Sequence, residues 1–380
     1  MNKEKSGPIQ LFLHSFKQAP PNRTSPTTLF PCIVGAMTSQ DHACAEVLPT
    51  NTPALLENAV QRAAELLRTG KLVALPTETV YGLAANALDP KAVASIYTAK
   101  GRPTINPIIV HVSNLEMARQ CTTSWPEEAE NLANAFWPGP LTLVLPRSKI
   151  IPDIVTADGP TVGIRFPSHP IIKAVIQACG FPLAAPSANP SNQISPTTAE
   201  HVRASLGTKI SLILDGGQSR VGIESTVLDL ASNPPRLLRP GMVQAEAIEK
   251  VLGKSLAQSG IVTPGSTLRS PGMMKKHYSP KARLVILSWQ NDEDLLTQLS
   301  KLTKIAPEKT HILAHTQIPA HHRFGHVTSL PKDVAGYARV LYSALHTCDD
   351  TGAELIIVEA PPAGKTWQGI SDRLSRASAQ

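Results

Sequence analysis

Residues 52–76, TPALLENAVQRAAELLRTGKLVALP, decide the fold class. Thr52 followed by Pro53 is an N-cap with proline at the first helical position, and Leu56, Ala59, Val60, Ala63 and Leu67 then recur at helical spacing until Gly70. KLVALP changes the period, since a short apolar run between glycine and proline reads as a buried strand. A helix feeding directly into a buried strand is the unit of an α/β layer, and the alternation continues outward. Asp89-Pro90 caps a second helix with Val93, Ile96 and Tyr97 inward, Gly101 stops it, and PIIVHV follows as a strand. Next come the helix PEEAENLANAF, strands LTLVLP and TVGIRFP, the helix HPIIKAVIQAC, the strand PLAAP and a helix opened by a capping box, Thr197-Thr198-Ala199-Glu200. Strands ISLILD, STVLDL and RLLRP and the helix MVQAEAIEKVL complete one α/β domain with a mixed sheet, residues 52–261.

On either side the pattern changes. Residues 1–51 are rich in Pro, Ser and Thr, lack a signal-peptide core and read as a disordered extension. A transit peptide, or an over-long start with Met37 as the true beginning, would both account for it. Residues 262–283 break the periodicity with Pro, Gly and Ser and read as a linker, in which Arg269, Lys275, Lys276, Lys281 and Arg283 meet no Asp or Glu. Residues 284–380 alternate again (LVILS, DEDLLTQLSKL, HILAHT, DVAGYARVLYSALH, ELIIVEA and a last helix), giving a smaller C-terminal α/β domain.

Totals exclude several classes. With 36 Lys+Arg against 29 Asp+Glu the chain is +7, which favours anionic partners such as nucleotides or RNA, while 4% aromatics is thin for a base-stacking platform. Cys32, Cys44, Cys121, Cys179 and Cys348 form no CxxC pair, so neither a zinc site nor a disulfide framework is indicated and a reducing cytoplasm fits. No uninterrupted apolar run of about 18 residues suggests a membrane span. AGKT at Ala363–Thr366 fails as a P-loop because Glu359 stands where the motif needs glycine, and HHRFGH (321–326) reads as a polar loop without carboxylate or cysteine support.

Four polar clusters remain, placed by the pattern at successive strand ends, where α/β sheets collect ligands. They are PTETVYGLAANA (76–87) with Thr77, Glu78, Thr79 and Tyr81; KGRPTINP (100–107) with His111 beyond it; Arg165 in the apolar strand TVGIRFP; and APSANPSNQIS (185–195). Taken singly, Lys100 is an ordinary helix-end cation, His111 a core histidine, APSANPSNQIS a turn, and Arg165 either the partner of an internal acid such as Glu224 or a clamp for a carboxylate or phosphate. Their co-occurrence on one domain points to an anion-binding pocket.

In order, PTETVYGLAANA, AKGRPTINPIIVHV, WPGPLTLVL, TVGIRFPSHP, APSANPS, IESTVLDL and LLRPG resemble the YrdC-like family of threonylcarbamoyl-AMP synthases over residues 54–255, and KKHYSPKA with the C-terminal domain resembles its longer, two-domain members. The resemblance implies a YrdC-like mixed twisted sheet with a Rossmann-like C-terminal domain, and a nucleotidyltransferase that forms L-threonylcarbamoyl-AMP and pyrophosphate from L-threonine, bicarbonate and ATP, with Mg²⁺ carried on the nucleotide. A partner transferase then modifies the adenosine beside the anticodon, so the implied process is tRNA processing in the cytoplasm, without a membrane and with direct tRNA contact left open. By motif matching, Thr79, His111, Arg165, Ala185 and Ser225 fall where the family contacts threonine, and Arg102, Asn106, Thr161, Ser187, Ser195 and Arg239 where it contacts ATP. Lys100 and Asn189 complete the Lys-x-Arg and Ser-x-Asn pairs expected at the phosphates, Lys100 and Arg102 being the expected catalytic cations, and His277 and Tyr278 are expected to reach back over the nucleotide. A rival reading is a non-catalytic protein binding tRNA or double-stranded RNA. The related carbamoyl-adenylate domain of hydrogenase maturation goes with paired-cysteine zinc motifs that this chain lacks.

Overall fold

Thr52 accepts a hydrogen bond from the Leu55 amide and Asp89 one from the Lys91 amide, so both expected N-caps open helices that begin at a proline. The computed structural model describes residues 44–257, 277–320 and 323–379; most of the expected N-terminal extension and most of the expected basic linker, Arg269, Lys275 and Lys276 included, lie outside the described residues. The strands are β1 (Glu46–Pro49), β2 (Val73–Leu75), β3 (Gly82–Asn86), β4 (Val110–His111), β5 (Leu141–Pro146), β6 (Thr161–Arg165), β7 (Leu183–Ala184), β8 (Leu212–Asp215), β9 (Thr226–Asp229), β10 (Arg236–Arg239), β11 (Arg283–Leu287), β12 (Thr310–Ala314), β13 (His326–Ser329) and β14 (Leu355–Glu359). The helices are α1 (Pro53–Arg68), α2 (Pro90–Lys100), α3 (Leu115–Gln120), α4 (Glu127–Phe136), α5 (Asp153–Thr156), α6 (Pro170–Cys179), α7 (Ala199–Leu206), α8 (Ala245–Leu252), α9 (Asp292–Leu302), α10 (Val334–Asp350) and α11 (Gln368–Ala377).

Four local expectations are corrected. Strand β1 lies inside the segment expected to be disordered, because its backbone pairs in parallel with β8 from Glu46↔Leu212 to Pro49↔Asp215. The polar stretch 76–87 contains β3, antiparallel to β2. HHRFGH ends in β13, whose His326 pairs with His311 of β12. The helix expected to open with a capping box at Thr197 starts one residue later: Thr198 is the N-cap, and its side chain accepts from the His201 amide.

The larger sheet runs β1-β8-β2-β3-β7-β4-β6-β5-β9-β10, and the mixture of parallel and antiparallel pairs agrees with the mixed sheet expected. Alternation along the strands divides its faces. Ala74, Leu83, Ala85, Val110, Ile164 and Ala184 point to one side, against Val93 and Ile96 of α2 and Val202 and Leu206 of α7. Val73, Leu75, Ala84 and Leu183 point to the other, where α1 and α6 cover the first strands with Ala63, Leu67, Ile172 and Ile176.

A separate four-stranded sheet, β11-β14-β12-β13, is parallel throughout. Helix α9 packs on one face of it through Leu295 and Leu299, and α10 and α11 on the other through Leu341, Tyr342, Ile370 and Leu374. That second cluster also takes in Val80, Ile194, Ile223 and Tyr278, so the two sheets share a core within one compact unit. At the carboxyl end of β14, Glu359 accepts the amides of His315, Thr316 and Gln317 at 2.6, 2.8 and 3.2 Å.

Close approach between the two parts depends on Gly222. Its φ is +85°, and a β-carbon there would lie 2.3 Å from the Ala338 carbonyl oxygen of α10. Gly222→Ala is therefore expected to lower stability by about 2–4 kcal/mol, through both the backbone conformation and the displaced helix. Chemical denaturation checks this; an unchanged midpoint would show that α10 can retreat at no cost.

Candidate functional site

Beyond the strip covered by α1 and α6, the same sheet face carries polar side chains. In β4 and its approach, Ile109 and His111 face a pocket while Val110 faces the core; Arg165 and Ala185 face the pocket while Ile164 and Ala184 do not. The space not filled by atoms within the pocket, open solvent included, is roughly 530 Å³. The clusters expected at successive strand ends are thus spread over one face of the central strands. Strand β4 is only two residues long: ahead of it Ile108 donates to the Val155 carbonyl outside the sheet, and after it Val112 still donates to the Arg165 carbonyl of β6.

Ten of the fifteen expected residues line this pocket: Thr79, His111, Arg165, Ala185, Ser225, Arg102, Ser187, Arg239, His277 and Tyr278. Arg165 is 4% exposed and pairs with an internal acid, Nη2 to Oε1 at 2.7 Å, but that acid is Glu78 and not Glu224, the example named from the sequence. Its Nη1 donates to Thr79 Oγ1 at 2.9 Å and its Nε to the Gly139 carbonyl at 3.4 Å. Thr79 Oγ1 is in turn 2.8 Å from Thr77 Oγ1. His111 is buried beside this group, and its Nδ1 has no partner among the described residues. Burial, reinforced by the Arg165 charge, holds its pKa at about 3, so the ring is neutral.

The loop 100–107 divides its cations. Gly101, at φ +59°, reverses the chain after α2 and sends the two side chains apart. Arg102 lines the pocket, with Nε on the Asn106 carbonyl (3.1 Å) and Nη2 on the Pro107 carbonyl (2.8 Å). Burial lowers its pKa to about 10, which leaves it charged at neutral pH. Lys100 does not line the pocket. Its ammonium donates to the Ser187 carbonyl (2.5 Å) and to the carbonyl and Oδ1 of Asn189, and an ammonium has three donors. Lys100, expected at the phosphates, is thus placed behind the 187–189 turn; burial, then the charge of Arg102, depresses its pKa.

On the opposite wall, Arg239 donates from Nε to the Ser225 carbonyl (3.1 Å) and from Nη2 to Ser225 Oγ (3.2 Å). Ser225 Oγ also meets Thr142 Oγ1 at 2.8 Å. His277 and Tyr278 close the pocket in an edge-on pair, ring centres 4.0 Å apart, with Tyr278 at φ +62°. His277 Nδ1 and the Tyr278 hydroxyl have no hydrogen-bond partner among the described residues.

Five expected residues sit behind or beside the pocket. Lys100, Asn106 and Asn189 brace its walls through the bonds above, with Asn189 Nδ2 also donating to the Gln193 carbonyl. Ser195 donates to Glu224 Oε1 at 2.5 Å. Thr161 lines an adjoining cleft with Thr142, Thr156 and Gly163, which shares Ile109 with the pocket. Sequence reasoning missed Glu224 as a lining residue, although it lies in the quoted motif IESTVLDL, and missed Val80, Gly82, Ile109 and Pro186, whose apolar or glycine identity carries no chemical signal. Among the described residues no group of three His, Cys, Asp or Glu could hold a metal ion, and no helix is long and apolar enough to cross a membrane.

The chain matches two family models in sequence. One, for Sua5, YciO and YrdC and described as "Telomere recombination", covers residues 65–241; the other, described as "Threonylcarbamoyl-AMP synthase, C-terminal domain", covers residues 243–379. The threonylcarbamoyl-AMP synthase of Pyrococcus abyssi is 41% identical over 84% of this chain and 94% of its own length. That of Bacillus subtilis is 39% identical over 87% and 94%. A crystal structure of P. abyssi Sua5 complexed with L-threonine matches with a TM-score of 0.80 at 40% identity, covering 88% of this chain and 98% of that one.

Burial also lowers the His277 pKa to about 3. For both histidines the folded value lies below the ordinary 6.5, so the unfolded chain takes up protons first as pH falls. Their contribution is intact above about pH 6.5 and is lost between there and pH 3. Denaturation midpoints should fall from pH 7 to pH 5, and His111→Gln should reduce the slope by about one proton; an unaltered slope would mean that the ring titrates normally.

Proposed function

This chain belongs to the threonylcarbamoyl-AMP synthases of the Sua5, YciO and YrdC family, in their two-domain form, and we propose that its pocket joins L-threonine, bicarbonate and ATP into L-threonylcarbamoyl-AMP and pyrophosphate. The observation that carries the assignment of the pocket is the convergence of three buried guanidiniums, Arg102, Arg165 and Arg239, on one small cavity with hydroxyls between them. Three anionic reactants repel one another, and fixed cations in a dry site are what lets them share a volume.

Arg165 is suited to the threonine carboxylate. Its Nε and Nη1 donate to Gly139 and Thr79, while Nη2 is ion-paired with Glu78 but makes no hydrogen bond among the described residues, so both terminal nitrogens keep donors for a two-pronged contact. Thr79 and Ser225 offer hydroxyls to the substrate, Ala185 leaves room for it, and neutral His111 puts no positive charge against its amine. Arg102 and Arg239 would face the phosphates, with Ser187 between them and His277 and Tyr278 closing over the nucleotide; Lys100, Asn106, Asn189 and Ser195 support these walls from behind, and Thr161 would meet the nucleotide in the adjoining cleft.

The threonine nitrogen attacks the carbon of bicarbonate, an N–C bond forms and water leaves, giving a carbamate. A carbamate oxygen then attacks the α-phosphorus, and the bond to pyrophosphate breaks in line, the leaving group keeping the electron pair. No protein nucleophile is needed, so the chain contributes positioning and charge stabilisation. Mg²⁺ would enter with the nucleotide rather than in a protein cage, since Glu224, the pocket's carboxylate, is engaged by Ser195, Tyr342 and Arg373. Transfer of the product's threonylcarbamoyl group to tRNA by a partner transferase in the cytoplasm, with or without direct tRNA contact by this chain, belongs to the same reading. A purely RNA-binding role is disfavoured by the enclosure of the arginines, which a duplex could not reach.

The test is to supply ATP, bicarbonate and labelled threonine and look for pyrophosphate and a threonine-bearing adenylate. Turnover that is equal without threonine would sink the proposal. Arg165→Lys keeps a charge against Glu78 but loses the fork, and the threonine KM should rise about tenfold or more with little change for ATP. Arg102→Ala should do the reverse.

A further inference from the structure

Helix α11, near the far end of the chain, reaches the pocket wall through one side chain. Arg373 is 1% exposed. It donates from Nε to Glu224 Oε2 (2.7 Å), from Nη2 to the Glu224 carbonyl (3.2 Å), and from Nη1 to the Pro240 carbonyl (3.1 Å) and Asp372 Oδ2 (2.8 Å). Its guanidinium carbon lies 5.2 Å from the centre of the Tyr278 ring. One cation therefore touches three segments that build the wall assigned to the nucleotide: Glu224-Ser225, Arg239-Pro240 and His277-Tyr278.

Glu224 makes this contact consequential. It is the acidic residue among those lining the pocket, and a carboxylate there repels phosphates and competes with them for Arg239. Its oxygens are drawn off instead, Oε1 by Ser195 (2.5 Å) and Oε2 by Arg373 and the Tyr342 hydroxyl (3.1 Å). Burial would raise the Glu224 pKa, but Arg373 and then Arg239 overcome it and hold the group at about 2, ionised throughout the neutral range. With Arg373 gone, the charge would remain and Arg239 would be its principal cation.

We propose that Arg373 is a positioning residue for nucleotide binding: by engaging Glu224 it holds that carboxylate away from the phosphates, and it backs Tyr278, so the C-terminal helix completes the nucleotide half of the pocket. This rests on the reading that ATP occupies the Arg102, Arg239 and Tyr278 side. It makes nucleotide affinity in this chain depend on a residue 149 positions away from Glu224 in sequence.

Binding of a non-hydrolysable ATP analogue, and separately of threonine, would be measured by calorimetry on the full chain, on Arg373→Met and on the double variant Glu224→Gln with Arg373→Met. Arg373→Met should weaken the analogue about tenfold or more while threonine affinity moves less than about twofold, and the double variant should recover most of the loss, because no stranded carboxylate is left. Equal loss for both ligands, or no recovery in the double variant, assigns Arg373 a merely structural role and overturns the proposal. If Arg373→Met does not fold, Arg373→Lys, which keeps the charge but loses the multiple contacts, takes its place; analogue affinity equal to wild type there also overturns it. Wild-type protein that binds the analogue but releases no pyrophosphate with threonine and bicarbonate refutes the synthase reading and leaves this comparison decisive, whereas wild type that binds no analogue refutes both.

Discussion

Burying several cations around one cavity is the constraint from which the rest of this structure follows. A guanidinium or ammonium taken out of water is costly unless its donors are met, and the folded chain meets them in different ways. Lys100 and Arg102 are held by backbone carbonyls, Arg165 by the Glu78 carboxylate and Thr79, Arg239 by Ser225, and Arg373 by Glu224 and Pro240. Carbonyl acceptors satisfy a cation without cancelling its charge, so Arg102 keeps its field for a ligand. Such fixed, desolvated dipoles and charges cost no reorganisation when anions arrive, which is the physical content of preorganisation.

The strand period supplies the geometry. Because neighbouring residues point to opposite faces, Val110 and Ile164 can anchor the core while His111 and Arg165, one position on, are delivered to the cavity. Helices α1 and α6 cover one part of that face, and the segment 277–278, α10 and α11 flank the rest. A ten-stranded sheet with one face left partly uncovered by its own helices thus acquires a roofed site from a second sheet packed nearby.

Much of this was legible in the sequence where the signal is local. N-caps at Thr52 and Asp89, the stop at Gly101 and the apolar runs of β5, β6 and β8 are decided by near neighbours, and the hydroxyl-rich motifs named most of the pocket. What escaped is decided by distant pairing. Strand β1 exists because β8, more than 160 residues on, accepts it. Lys100 reads as an exposed helix-end cation until the 187–189 turn closes on it, and Arg165 pairs with Glu78, from the segment between β2 and β3, rather than with an acid such as Glu224. Arg373 sits in an amphipathic helix where an arginine ordinarily signals solvent, and only the fold reveals that it points inward.

The smaller parallel sheet has a layout that in many proteins receives phosphate groups at the carboxyl ends of its strands. Here three successive amides after β12 converge on the carboxylate of Glu359, the same residue that breaks the glycine pattern ahead of AGKT. The chain has in effect installed its own permanent tenant in that cradle. An internal anion that can never dissociate turns a potential docking berth into a keystone, one that ties the segment after β12 to the end of β14.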